Sequence, residues 1–508
     1  MKAAFNRNSL VRSALIVTGA TYVTYVSGLI INTLIARGLG PDDFGRYSYV
    51  VWLSGIVVIF CTNGLTTTGI KFVAENLGRD DDHGASRVYW LLRRYFRASL
   101  AIVAVGMLVA APFVRPAGWN GGLWFFVFLV LASGLSKSVY LLHSSVAKGY
   151  GNFGIEASTT NVLGMVGLVA TALLVVTQQP LATYLLLFVL LGFGHAFLTL
   201  TLIRRTPIRP VPQKVDPDIL RRLNVHLGWT IVMVLLGTVS NRTIETFLLN
   251  KMVGADAVGF FLIAATLTRG GTDLLVNGLT AVLIPVMAHS YGRGGADHVG
   301  PILSNAVRYF LFFGLLLAGV GVLCADLAIG LMYGPKYAPV VGVFKAMVVI
   351  AGLTLTEGAF NALLTTTDHQ RLRVILTASA VVVSGALAFA LIPGFGLAGA
   401  VMGHVASRVV MFLAIVLASS RTMRVRLPWR EIGRQFASAA VAAVVAAMVL
   451  YSHDGAWMGL VAATAYGLVL VGCSFVFRVW RAQDLALLGG LAERYPKVGV
   501  LVRWIGSR

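Results

Sequence analysis

Charge is scarce in this sequence, and negative charge most of all. Lysine and arginine number 41, aspartate and glutamate only 20, and charged residues make up 12% of the 508. A soluble globular chain carries about a quarter charged residues. This shortage, beside 57% hydrophobic residues and a mean hydropathy of +0.81, excludes a chain solvated by water throughout. Cysteine is equally sparse. Cys61, Cys324 and Cys473 lie inside apolar stretches at no disulfide or metal spacing, so they read as small buried hydrophobes. Long polar segments are missing too, and with them any Walker loop, zinc spacing or paired carboxylates in a soluble stretch. Hence no catalytic residue, metal or cofactor is expected.

What is present is a series of apolar runs. A transmembrane helix needs about 20 such residues. Spans are expected near 13–35, 45–69, 97–115, 121–143, 157–177 and 180–203, and after a polar break near 226–249, 258–289, 309–332, 339–363, 374–392, 397–420, 435–452 and 456–478. The window 258–289 reads as one tilted span with an inner extension. The first span is too long, and too poorly flanked by small residues, for a cleaved signal peptide, and is expected to stay. The expected fold is therefore an all-α polytopic membrane protein of about 14 transmembrane helices.

Positive charge then orients the chain. With the N-terminus inside, 31 of the 41 basic residues fall on inner segments and 5 on outer ones, Arg37, Arg46, Arg115, Lys251 and Lys336, leaving 5 within spans. The net charge of +21 is accordingly a topology signal and no footprint for nucleic acid. Both termini are expected in the cytoplasm, and the protein in a bacterial inner membrane.

The chain also repeats itself. At an offset of 214 residues, "ARGLGPDDFGRYSY" (36–49) meets "NKMVGADAVGFFLI" (250–263), so that Gly40 matches Gly254, Asp42 matches Asp256 and Gly45 matches Gly259. At the same offset "NGLT" at 63–66 meets "NGLT" at 277–280, and "RYF" at 94–96 meets "RYF" at 308–310. The offset covers six spans, an even number, so the copies share one orientation about an axis along the membrane normal. Two six-helix lobes are expected, 1–203 and 226–420, joined by a cytoplasmic linker, 204–225, and followed by two extra helices over 421–478 and a tail, 479–508. Four prolines in "RRTPIRPVPQKVDPDILRRL" (204–223) forbid a helix through the linker. The tail mixes apolar clusters with Arg and Trp and suits an interfacial helix or a free end. The 36–49 turn suits a helix end at Gly40 or Gly254 and a cap at Asp42 or Asp256.

A weaker echo places His195 ("GFGH") and His404 ("VMGH") in the sixth and twelfth spans. Either senses protons or rests on a backbone carbonyl, the commoner case. Gly399 and Gly403 form a G-x-x-x-G packing face.

"LIARGLGPDDFGRYSYVVWLSGIVVIFCTNGLTTTGIKFVAE" resembles the opening of bacterial polysaccharide-biosynthesis membrane proteins, the oligosaccharide flippase family. "LIPGFGLAGAVMGHVAS" (391–407) is similar to that family's later signature, and the resemblance covers roughly residues 10–420. It implies the multidrug/oligosaccharidyl-lipid/polysaccharide exporter fold. It also implies alternating access that carries lipid-diphosphate-linked sugars from the inner to the outer leaflet. Relatives in the superfamily export drugs or flip the peptidoglycan precursor.

Ionisable groups inside spans cost several kcal/mol and face cavities or partners. The basic ones are Lys137, Arg242, Arg269, Lys345 and Arg408; the acids are Glu245, Asp273 and Glu357, with Asp326 nearer a span end. Spacing proposes Arg242 with Glu245 and Arg269 with Asp273 as local pairs, which as neutral pairs would only hold helices together. The equivalent first-copy positions, Gly28, Ile31, Gly55 and Ile59, are uncharged. Surplus cation in a cleft suits a diphosphate, since Arg recognises phosphate through a planar fork; Asn161, Asn241, Asn277, Asn361 and Thr280 suit sugars. Glu357, with Asp273 and Glu245 in reserve, is the candidate for proton or sodium coupling.

The expected partners are a lipid-linked oligosaccharide of the polyprenyl diphosphate type, membrane lipids, and a polysaccharide polymerase or export machinery as a further candidate. Two rivals stand beside the flippase. One is a cation-coupled drug or metabolite exporter on the same fold, against which the acid-free first span argues. The other is a polytopic ligase or polymerase, against which the short outer loops argue.

Overall fold

The computed structural model describes the backbone of residues 7–240, 243–367, 369–423, 427–452, 455 and 457–480. Among these it describes the side chains of 22–23 and of 25 onward except 239–240, 243, 281–282, 292, 294, 296–297, 370 and 422–423. Among the described residues there is no strand. The helices are α1 (Arg7–Thr62), α2 (Leu65–Gly78), α3 (Asp82–Ala110), α4 (Leu123–Gly149), α5 (Gly154–Val176), α6 (Leu181–Arg204) and α7 (Pro217–Ser240). They continue with α8 (Thr243–Met252), α9 (Ala255–Tyr333), α10 (Pro339–Leu353), α11 (Glu357–Thr366), α12 (Gln370–Met423), α13 (Trp429–Ser452) and α14 (Met458–Val476).

By length and hydropathy ten helical segments suffice to cross a membrane, or eleven with α10 and α11, bent by 43°, as one span. Two of the ten, Tyr25–Gly78 and Arg371–Arg421, run 54 and 51 residues, double what one crossing needs. Each divides at a glycine that no other residue suits: Gly40 (φ 77, ψ 174) in α1 and Gly396 (φ 55, ψ −129) in α12. Pro41 follows the first break and restarts the helix without needing an N–H partner. The other span expectations fall on α3 to α9, on α10 with α11, and on α13 and α14, so the chain is an all-helical, multi-pass membrane protein.

One expected span is not continuous. Residues 45–69 break at Asn63 (φ 38) and Gly64 (φ 79), and α2 then runs on to Gly78. The break lies in "NGLT", whose second copy at 277–280 stays helical inside α9. Gly64 also leaves no room for a side chain, because Thr230 Cγ2 sits 2.7 Å from where its Cβ would be.

By contacts the chain divides into two compact units. The first comprises 1–262 with 381–400 and the second 263–380 with 401–508. Inside the first, α4 is the spine, packed on α1, α2 and α6. It carries a polar run, Ser133, Ser136 and Ser138, whose hydroxyls bond carbonyls of their own helix at 2.6–2.7 Å. Ser133 also meets the Ser54 hydroxyl of α1 at 2.9 Å. The linker is held down, with Val211 N–H bonding the Ser86 carbonyl at 3.2 Å and the Arg209 guanidinium donating to the Ile203, Arg204, Thr206 and Ile208 carbonyls. These bonds cap α6.

Inside the second unit, α9 and α10 cross at Gly314 and Gly352, each so close that a Cβ on either would overlap the other's carbonyl. The hairpin of α13 and α14 lies on α9, with the Tyr466 hydroxyl bonding the Leu315 carbonyl at 3.0 Å and the Gln435 amide the Arg308 carbonyl at 2.9 Å. Beyond α14, Trp480 stacks on Tyr309 at 5.9 Å and meets Phe312 edge-on at 5.0 Å. The fully buried Arg308 donates to the Val479 carbonyl at 3.2 Å. The rest of the expected tail, 481–508, lies outside the described residues.

Candidate functional site

The polar groups expected within spans fall into separate places. In the first unit, α4 carries Lys137 half-buried, its ammonium 4.5 Å from the centroid of the Tyr140 ring one turn on. The same ring meets His195 of α6 edge-on, centroids 5.2 Å apart at 67°. The His195 Nδ1 lies 2.7 Å from the Leu191 carbonyl, which fixes Nδ1 as the protonated nitrogen. His195 therefore follows the carbonyl-satisfied alternative. No carboxylate among the described residues pairs with Lys137.

That separates Lys137 from two other expected cations. In the second unit Lys345 of α10, half-buried, pairs with the exposed Asp326 of α9 at 2.6 Å, a pair worth about 0–1 kcal/mol where water reaches it. Arg408 of α12 pairs with Glu357 at 3.4 Å. The coupling candidate thus has a basic neighbour that its own helix did not reveal. Glu357 opens α11 at the bend from α10, and its Oε1 is buried without a hydrogen bond. Asn361 lies one turn further on the same face, half-buried.

On α9, Arg269, Asp273 and Asn277 follow at intervals of four residues and are all exposed, a single polar stripe. The opposite face of that segment carries Leu275, Val276 and Leu279 into the apolar core around Phe360 and Leu363. The Thr280 hydroxyl is turned back onto the Val276 carbonyl at 2.6 Å. Glu245, at the start of α8, is 2% exposed; its Oε1 accepts from the Ser384 hydroxyl of α12 at 2.7 Å, while Oε2 has no hydrogen bond. Asn241 and Arg242 lie outside the described residues, and with them the expected Arg242–Glu245 pair. Asn161 Oδ1 is buried without a partner.

Two groups escaped the sequence reading. Tyr140 was reachable, since it stands at i+3 from Lys137. Ser384 was not, because 139 residues separate it from Glu245 and nothing in the local pattern links them.

Chemically, Lys137 is the notable group. An unneutralised cation within a span costs about 2.5–3.5 kcal/mol on insertion scales, and a cation–π contact offsets about 0.5–2 kcal/mol. The remainder is what a bound anion would supply.

The sequence pattern of the family described as polysaccharide biosynthesis protein matches residues 10–290. No curated protein matches the chain. Among solved structures, the lipid II flippase MurJ in an inward closed conformation is similar with a TM-score of 0.72 at 12% identity, covering 91% of this chain and 98% of that one. An inward-facing multidrug-resistance transporter of the MATE family and MOP superfamily follows at 0.69 and 15%, covering 79% and 94%. The MATE transporter VcmN of Vibrio cholerae gives 0.56 and 16%, covering 82% and 98%. At these identities the likeness is one of fold.

Proposed function

Because the chain belongs to the polysaccharide biosynthesis protein family, we propose that it is a flippase carrying a lipid-diphosphate-linked oligosaccharide repeat unit from the inner to the outer leaflet of the bacterial cytoplasmic membrane, for surface or exopolysaccharide assembly. The observation that carries this reading is Lys137: a cation in a membrane-spanning helix, seated on an aromatic face, with no carboxylate among the described residues to neutralise it. A diphosphate is a matching anion. The exposed stripe of Arg269, Asp273 and Asn277 supports a second polar contact. The lobes 1–203 and 226–420 would alternate in access, with both termini cytoplasmic as the basic inner segments imply. Glu357, Glu245 and Asp273 are the carboxylates available for ion coupling, and the orphan oxygens of the first two favour them.

A cation-coupled exporter of drugs or metabolites is the second reading, favoured by the fold shared with MATE transporters. One experiment separates the two. Lipids from cells lacking the protein are assayed for diphosphate-linked oligosaccharide, with an impermeant lectin reporting the leaflet. Repeat unit trapped in the inner leaflet, with surface polymer lost, is the expected result. Repeat unit displayed outside but unpolymerised points to a polymerase. Unchanged pools with sensitivity to toxic cations refute the flippase in favour of the exporter.

A further inference from the structure

One helix face meets two different fates in the two copies of the repeat. In α3 the buried side is Val88, Tyr89, Leu92, Phe96 and Met107. The opposite side carries Arg94, Arg97, Ala98, Ala101, Val105 and Val109 in one line at helical spacing. All six are exposed, Val105 by 60% and Val109 by 69%. Moved on by 214 residues the line becomes Arg308, Leu311, Phe312, Leu315, Gly319 and Leu323 of α9. There it is covered. Arg308 is fully buried under the Val479 carbonyl, and Trp480 meets Phe312. The Tyr466 hydroxyl of α14 bonds the Leu315 carbonyl. A methyl built on Gly319 would overlap the Tyr466 ring, and one built on Gly459 of α14 would stand 2.5 Å from the Leu323 carbonyl. In the second copy α14 and the turn after it thus lie along the line that α3 leaves bare.

The differences between the copies point to what covers the bare face. Gly319, which admits the Tyr466 ring, is matched by Val105, and Phe312 by Ala98, so the seat of α14 is not kept. Charge changes the other way. Arg94 matches Arg308, but Arg97 stands where the second copy has Leu311, and Arg93 where it has Val307. Arg93 lies over the Tyr89 ring, 6.0 Å from its centroid. Arg94 and Arg97 have no carboxylate partner among the described residues. Two unpaired guanidiniums followed by a line of apolar side chains fit a phospholipid, with phosphate on the arginines and an acyl chain along Ala101, Ile102 and Val105. About ten residues of helix rise about 15 Å, half of a hydrocarbon core of about 30 Å, so the chain of one leaflet spans that stretch. Trp90, half-buried one turn before Arg94, suits the headgroup level. A zwitterionic headgroup carries its own cation, so the arginines select an anionic one.

We propose that the α3 face bearing Arg94 and Arg97 is a binding site for an anionic phospholipid of the inner leaflet, which takes the place that α14 and Trp480 hold on the second copy. The inference rests on the repeat and on the orientation that the basic segments imply. It is independent of what the chain transports, so it stands or falls apart from the flippase reading.

The test uses the full-length chain purified in detergent and titrated with phosphatidylglycerol or phosphatidylcholine, the bound lipid being counted by native mass spectrometry. Preferential retention of phosphatidylglycerol is expected. Its tightest binding should weaken about thirtyfold in the double variant Arg94→Gln, Arg97→Gln, the factor that about 1 kcal/mol per arginine gives for two, while binding of phosphatidylcholine stays unchanged. Equal retention of the two lipids by the parent overturns the proposal. So does phosphatidylglycerol binding in the double variant within about threefold of the parent. If the double variant does not reach the membrane, a photoreactive benzoylphenylalanine replacing Val105 decides in native membranes. Cross-linking to an anionic phospholipid supports the site. Cross-linking to another protein shows a partner helix on this face and overturns it.

Discussion

Replacing Asn250 by alanine removes one side chain and two bonds, and its cost can be worked out from its partners. The amide is 4% exposed and holds the backbone of Arg115 and Ala117 at 2.9 and 2.8 Å. A neutral hydrogen bond contributes about 1 kcal/mol net, and a buried group left unpaired costs about 1–3 kcal/mol. Here Arg115 is exposed and Ala117 half-buried, so water recovers part of what the backbone loses. The lower end applies, about 2 kcal/mol for the pair. If the 115–117 segment between α3 and α4 is held mainly by Asn250, its local opening becomes about thirtyfold more frequent. Hydrogen exchange on the purified protein reads this directly. The amides of 117–121 should exchange about thirtyfold faster in Asn250→Ala. Exchange at Ala117 within about twofold of the parent would refute the reasoning, because it would mean that the bond from Arg46 Nε to the Ala117 carbonyl, 3.1 Å, holds the segment alone.

Three further outcomes follow from the packing and the charges. Lys137→Gln should abolish export of surface polymer at unchanged membrane abundance, while Lys137→Arg, which keeps the charge, should retain part of it; equal loss in both would remove the anion role. Arg269→Ala should lower export without lowering abundance, and normal export at normal abundance would exclude it from substrate contact. Gly314→Ala should cost about 3 kcal/mol, the upper end of the overpacking range, because the Cβ meets the Gly352 backbone; a thermal midpoint in detergent unchanged from the parent would contradict that crossing.

Much of the architecture was legible because a membrane enforces simple rules. A backbone in lipid must satisfy its own hydrogen bonds, so each apolar run of about 20 residues has to be helical. Even the Gly40 turn was readable, since a Gly-Pro pair between two runs leaves little alternative. The break at Asn63–Gly64 was not, because the same four letters at 277–280 remain helical. The polar groups divide in the same way. Arg269, Asp273 and Asn277 form a stripe through helix period alone. The acid beside Arg408 is 51 residues away, and the hydroxyl on Glu245 comes from α12.

By itself, then, the sequence determined a repeated, many-spanning helical chain of a recognisable family, because composition, hydropathy and an ungapped offset are one-dimensional properties. Only the tertiary structure decided how the described intramembrane charges are neutralised. Charge compensation depends on distances of 3–4 Å between helices that no periodicity along one helix encodes. The same holds for Arg94 and Arg308. Their equivalence was written in the repeat, but that one is exposed and the other buried is a property of the fold.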